Sequence, residues 1–245
     1  MKQSIYKKPP RNLHQHVVDE LGALIVCGKI KPGEVLPVEA TLAESFGVSR
    51  TIVREAVKVL MHKRLLQVRT RTGTCVLPSE LWNHLDPDIL RWRFSNGLTS
   101  KLLSDINELR RVVEPAAAEL AAQRATPEAL RKIEAALQDM TNAVAIEAHI
   151  AADLRFHTGI LEASGNDLLL GLRYGMEGAW DPSIRLVTQS KADAESSRAL
   201  HQAVYDAIVA GKPAAARAAS DRLIDRWAND GDRVIIKDSK RNKVA

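Results

Sequence analysis

The sequence predicts a mainly α protein of two parts. The first is a small helical unit closed by a β-hairpin; the second is an all-α antiparallel helical bundle. Three observations predict this. Ala and Leu are abundant while aromatic residues make up only 4% of 245 residues, which leans toward helix. Two helical patterns that meet at Gly47 are followed, at 65–77, by partial apolar–polar alternation around a Thr72-Gly73 turn. From residue 87 onward helical patterns recur and no clear strand pattern intervenes.

Hydrophobic residues make up 45% and charged residues 27%, an ordinary globular mixture long enough to bury sizeable cores. The net charge of +5 is unevenly spread. Residues 1–76 carry 13 Lys+Arg against 6 Asp+Glu, a net of +7, and the remainder is −2. A basic first third on a near-neutral body points to a polyanion met by that third alone. Cys27 and Cys75 lie far apart in no ligand-type spacing, so they read as reduced thiols. No apolar run approaches the roughly 20 residues of a membrane span. The opening MKQSIYKKPPRNLHQH has no apolar core of a signal peptide, so the expectation is a cytoplasmic protein with no membrane partner.

The elements follow in order. Over 13–28, Leu13, Val17, Leu21, Leu24 and Ile25 hold helical spacing, and Gly28 closes the helix. KIKPGEVLP, 29–37, is a turn segment around Pro32-Gly33. Residues 38–47 form a short helix with Leu42, Ala43 and Phe46 inward. Ser49 is an N-cap for the next helix, which buries Ile52, Val53, Ala56, Val57 and Leu60. Arg50 and Arg54, four residues apart, share its other face. The hairpin, a wing, carries Arg69 and Arg71 near its tip.

The order KPG–LP–LAE–GVSR–VREA–L–G, within roughly 11–78, resembles the winged helix-turn-helix of the GntR family of bacterial transcription regulators. The resemblance implies a recognition helix whose first turns enter the major groove of double-stranded DNA. Arg50 and Arg54 would then pair with guanine edges, and Ser49 and Thr51 would reach phosphates. Arg71, Thr72 and Gly73 would approach the minor groove. Many relatives have an arginine where this chain has Ala40, so operator preference is expected to differ.

Residues 79–86 read as a linker between a DNA-binding domain at 1–78 and a helical domain at 87–232, with a polar tail at 233–245. Asp86 caps a helix that begins at Pro87. Further helices are predicted at 101–124, from Thr126, and at 144–163, 167–188, 194–210 and 213–229, a bundle of six or seven.

The pieces ELRRVVEPAAAELAA, DLRFHTGILEASGN and HQAVYDAIVAGKPAAARAA resemble the FCD ligand-sensing domain of the FadR subfamily. By that resemblance Asp153, His157 and His201 are metal ligands for one divalent ion of Zn, Ni or Mn type. The fourth position of that set holds Leu223, which cannot ligate, so affinity should fall. A metal-free polar pocket is the competing reading. His149 lies one turn before Asp153 and could substitute, but reads as an exposed histidine. Arg110 suits an effector carboxylate, and a structural pair with Glu114 competes with or accompanies that role. Asn166 is a second effector-binding candidate, against a plain helix cap.

LWNHLDPDILRW is similar to the linker of sugar-acid catabolism regulators of D-galactonate type. The resemblances together imply a homodimeric repressor on a palindromic operator, released by a small carboxylate effector such as an aldonate. The alternatives are an activator of the same architecture, or a helical metal hydrolase that uses the Asp-His-His set on water.

Overall fold

The computed structural model describes residues 12–97, 99–188 and 191–241. They divide into two compact units at Asn96 and Gly97.

In the first unit, helix α1 spans Leu13–Val26, and the Asn12 side chain caps it by accepting from the Gln15 N–H at 3.1 Å. Helix α2 spans Glu39–Phe46 and stops at Gly47, whose φ of 65° is left-handed and suits glycine. Helix α3 spans Arg50–His62, with Ser49 Oγ accepting from the Ile52 N–H at 3.3 Å. Strands β1, Leu66–Arg69, and β2, Gly73–Val76, pair antiparallel with Leu66 opposite Val76 and Arg69 opposite Gly73. The 29–37 segment does more than turn: Val35 bridges Cys75, and the Leu36 N–H donates to Thr74 O at 2.8 Å.

Helix α4, Pro87–Ser95, corrects the expected domain boundary. The sequence places it with the C-terminal domain, but it packs as part of the first unit. Its Trp92 lies against Gly22 of α1, where any Cβ would overlap the indole ring. Trp82, Ile89 and Trp92 join Val17, Leu21, Ile25, Val53 and Leu60 in one core. Each such apolar side chain contributes about 1.5–3 kcal/mol through burial. Lys63 is fixed to Asp86 and Asp88, both at 2.8 Å, and Arg91 to Asp19 at 2.6 Å. Residues 79–86 are therefore no free linker: they are tied down within the first unit.

The second unit is all helix among its described residues: α5 Ser100–Arg124, α6 Pro127–Asn142, α7 Ile146–Ala163, α8 Asp167–Gly171, α9 Arg173–Val187, α10 Lys191–Val209 and α11 Pro213–Arg241. The single helix expected at 167–188 is two. The Leu172 N–H bonds back three residues to Leu169 O, a tighter link that ends α8. Helix α11 passes 229 and absorbs 233–241 of the expected tail, because no Gly or Pro after Gly231 stops it. Residues 242–245 of that tail, and residues 1–11, lie outside the described residues. The core joins Val113, Ala117 and Ala121 of α5 with Phe156 and Ile160 of α7, Trp180 of α9 and Ala216 and Ala219 of α11. No helix among the described residues is long and apolar enough to cross a membrane.

Candidate functional site

The first site is a surface groove of about 440 Å³ in the first unit. Arg50 and Arg54 of α3, Glu39 and Ala40 of α2, and Thr72 and Gly73 of the wing line it. The face opposite Val53, Ala56, Val57 and Leu60 is thus the exposed face of α3, as its two-faced pattern requires. Arg54 is not free. Its Nε donates to Glu39 at 3.1 Å and its Nη2 at 2.8 Å, and this partner on α2 had no signal in the sequence. Thr51 is exposed beside Arg50. Ser49 uses its oxygen as a cap acceptor but keeps its O–H as a donor. Arg71 sits at the wing tip with φ 69°, a left-handed backbone that non-glycine residues rarely adopt.

The second site lies in the helical unit. Asp153 and His157 are four apart on α7 and His201 is on α10; all three are buried, with ligand atoms within 4.8 Å of one another. His157 Nε2 is 3.0 Å from Asp153 Oδ1, and its Nδ1 is 2.9 Å from Glu114 Oε2. Burial disfavours charge on His157, but the Glu114 and Asp153 carboxylates outweigh it and hold its pKa up at about 9. Burial likewise opposes the Glu114 charge, yet Arg110 and His157 hold its carboxyl down at about 2. Asp153 is held well below the usual carboxylate range, with His201 and His157 overcoming its burial.

The three side chains fit a divalent metal. His201 Nδ1 faces Ser197 O at 3.0 Å, and its buried Nε2 turns to Asp153 Oδ1 at 3.5 Å. In the neutral ring, Nδ1–H donating to that carbonyl leaves Nε2 as a lone-pair donor. Glu114 can orient His157 in the same way. Leu223 is buried and lines the same cavity, so the fourth side of the cluster is apolar. His149 is not exposed, as expected, but buried: its Nδ1 bonds Met140 O at 3.1 Å and it stands apart from the cluster.

The cavity itself measures about 40 Å³ and is lined by Arg110, Asp153, His157, His201, Arg226 and Trp227 among others. Arg110 makes the structural pair with Glu114 that was one of its two expected roles. Its Nε donates to Glu114 Oε1 at 2.6 Å, while its buried Nη1 has no acceptor. Trp180 Nε1 donates to the same Glu114 oxygen at 2.7 Å. Asn166 does not join the site. Its Oδ1 accepts from Leu168 N–H at 3.0 Å and Leu169 N–H at 3.3 Å as the cap of α8, and it does not line the cavity. Trp180, Trp227 and Arg226 carry no local pattern that separates them from ordinary helix residues, and sequence reasoning missed them.

Residues 13–76 match the model of bacterial regulatory proteins of the gntR family, and residues 105–226 match the FCD domain. The chain is 38% identical to the galactonate operon transcriptional repressor of Escherichia coli, over 80% of this chain and 87% of that protein. It is 34% identical to the Escherichia coli HTH-type transcriptional regulator YieP, over 87% and 93%. The solved structure of Listeria monocytogenes Lar shares the fold at TM-score 0.65 and 20% identity, covering 92% of this chain and 99% of that one.

Proposed function

The chain belongs to the gntR family of bacterial regulatory proteins and carries an FCD domain, and on that premise we propose that it is a homodimeric, cytoplasmic repressor of a sugar-acid catabolic operon. It is a transcription regulator, not the metal hydrolase that an Asp-His-His cluster alone would also allow; the matched families and relatives are regulators. Two copies read an inverted repeat through Arg50, Arg54 and the Arg71–Gly73 wing.

The observation that carries the effector reading is one cavity that gathers the unpaired Arg110 Nη1 with Asp153, His157 and His201. A guanidinium supplies planar donors for a carboxylate. Asp153, His157 and His201 would hold a divalent ion, which when bound supplies concentrated positive charge for the same carboxylate. Glu114 positions both Arg110 and His157.

A cavity of about 40 Å³ takes a few waters, not a six-carbon acid. Effector entry therefore requires the cavity to widen; Ser196 and Ser197 of α10 are part of its lining, and Arg226 bonds Ser196 O at 2.9 Å and Ser196 Oγ at 2.7 Å. For such a widening to couple effector to DNA, its free energy has to differ between the DNA-bound and the free regulator.

The test is a gel shift on the promoter beside the gene, titrated with D-galactonate and related sugar acids. Release of DNA by one of them at micromolar to millimolar concentration is expected. Retention of DNA at every acid and metal concentration sinks the effector half of the reading. Stronger binding with raised transcription on addition of acid marks an activator instead.

A further inference from the structure

The chain has four tryptophans, and three give their indole N–H to an acceptor. Trp82 donates to Leu77 O at 2.9 Å, Trp92 to Asp19 at 3.2 Å and Trp180 to Glu114 at 2.7 Å. Trp227 differs. It is only 8% exposed, and its Nε1 is buried with no hydrogen-bond partner. An indole nitrogen can donate but not accept, and buried tryptophans ordinarily find an acceptor.

The Trp227 ring stacks on the Arg110 guanidinium at 4.4 Å, and both residues line the effector cavity. Arg110 Nη1 is the other buried donor there without an acceptor. Two adjacent, desolvated donors with nothing to donate to describe the ligand they fit. It offers a carboxylate to the guanidinium and a further oxygen, a hydroxyl, to the indole. A plain aliphatic acid whose carboxylate is taken up by Arg110 and the Asp153–His157–His201 side of the cavity has no oxygen left for the indole.

We propose that Trp227 is a specificity-determining donor, its indole N–H pairing with a hydroxyl oxygen of a polyhydroxylated acid whose carboxylate meets Arg110. This rests on the effector reading above and deepens it, because it separates sugar acids from unsubstituted carboxylic acids. A site built to hydrogen-bond a hydroxyl rejects analogues that lack it, since its buried donor is then left unpaired. The competing arrangement is internal. Asn107 Oδ1 is also buried without a partner, three residues before Arg110 on α5 but outside the cavity lining, and a trapped water could join it to Trp227.

The experiment titrates full-length protein, ¹⁵N-labelled at the indoles, with D-galactonate and with hexanoate, which has the same chain length and no hydroxyls. The indole signal absent from Trp227→Phe should move with galactonate and stay with hexanoate. Trp227→Phe keeps a ring over Arg110 and should weaken galactonate about tenfold, the size of one such hydrogen bond, leaving hexanoate unchanged. Trp227→Tyr is the second variant if the first does not fold. Unchanged galactonate affinity in a folded variant overturns the proposal, as does an unmoved Trp227 signal in saturated protein, the sign of a water shared with Asn107. Wild-type protein that binds no sugar acid overturns the effector reading and this proposal together; wild type that binds with an indifferent Trp227 overturns this proposal alone.

Discussion

Arg54 of α3 is forked onto Glu39 of α2, through Nε at 3.1 Å and Nη2 at 2.8 Å. The fork occupies one edge of the guanidinium and leaves the Nη1–Nη2 edge for a guanine. Glu39→Gln should therefore lower the ratio of operator to random-DNA affinity about tenfold with the unfolding midpoint nearly unchanged. Arg50→Ala with Arg54→Ala should lose operator binding by about a hundredfold, within the range of two base contacts. Fluorescence anisotropy on both DNAs reads these effects; a double variant that binds as wild type removes α3 from the interface.

Arg71 occupies left-handed backbone at the wing tip, φ 69°. Glycine carries no Cβ penalty there, so Arg71→Gly should stabilise the folded protein by about 1 kcal/mol. It should also weaken DNA binding and reduce the slope of log affinity against log salt by about one. Urea denaturation and salt titrations separate the two effects. A variant both less stable and equally tight on DNA would contradict both roles.

Gly22 is the point where Trp92 of α4 presses on α1. Gly22→Ala should destabilise the first unit by about 1–3 kcal/mol, through overpacking against the buried Trp92 ring. Circular dichroism melts would show it. An unchanged melt would mean that α4 is not seated on α1 in solution.

The pKa of His157 is raised to about 9 in the folded chain. The stability this contributes is complete below its ordinary value near 6.5 and is lost as pH rises through 9. Glu114, lowered to about 2, contributes stability that is complete above about 4.5 and lost as pH falls through 2. Metal-free protein should accordingly be most stable between about pH 4.5 and 6.5 as far as these groups decide it. A metal would have to displace the His157 proton, so its apparent affinity should rise about tenfold per pH unit toward 9. Zinc titrations at pH 6, 7 and 8 in a non-chelating buffer test this; pH-independent affinity counts against His157 as a ligand.

Leu223 closes the apolar side of the Asp153–His157–His201 cluster. Leu223→His should add a donor and raise zinc affinity at least tenfold. Competition against a chelating dye measures it, and an unchanged affinity would put residue 223 out of reach of the ion.

Much of this architecture is legible in one dimension. The caps at Ser49, Asp86 and Thr126 and the left-handed stop at Gly47 act locally, so the sequence marks those helix ends. Asp153 and His157 share a helix face by spacing alone, whereas His201 joins them only through resemblance and folding. The placement of α4 escaped because Trp92 and Gly22 are partners across seventy residues with no periodic signature. The Glu39–Arg54 fork and the Trp227–Arg110 stack escaped for the same reason. Asn166 misled because a side chain that caps a helix and one that binds a ligand are the same residue type in the same local context.

That α4 packs on α1 also bears on how such regulators trade parts. A head grafted onto a foreign sensor after Leu77 would leave Trp82, Ile89 and Trp92 behind, and with them a portion of its own core. The compact unit ends at Asn96, so a graft that joins this unit to a different sensor should carry α4 along with α1, α2 and α3.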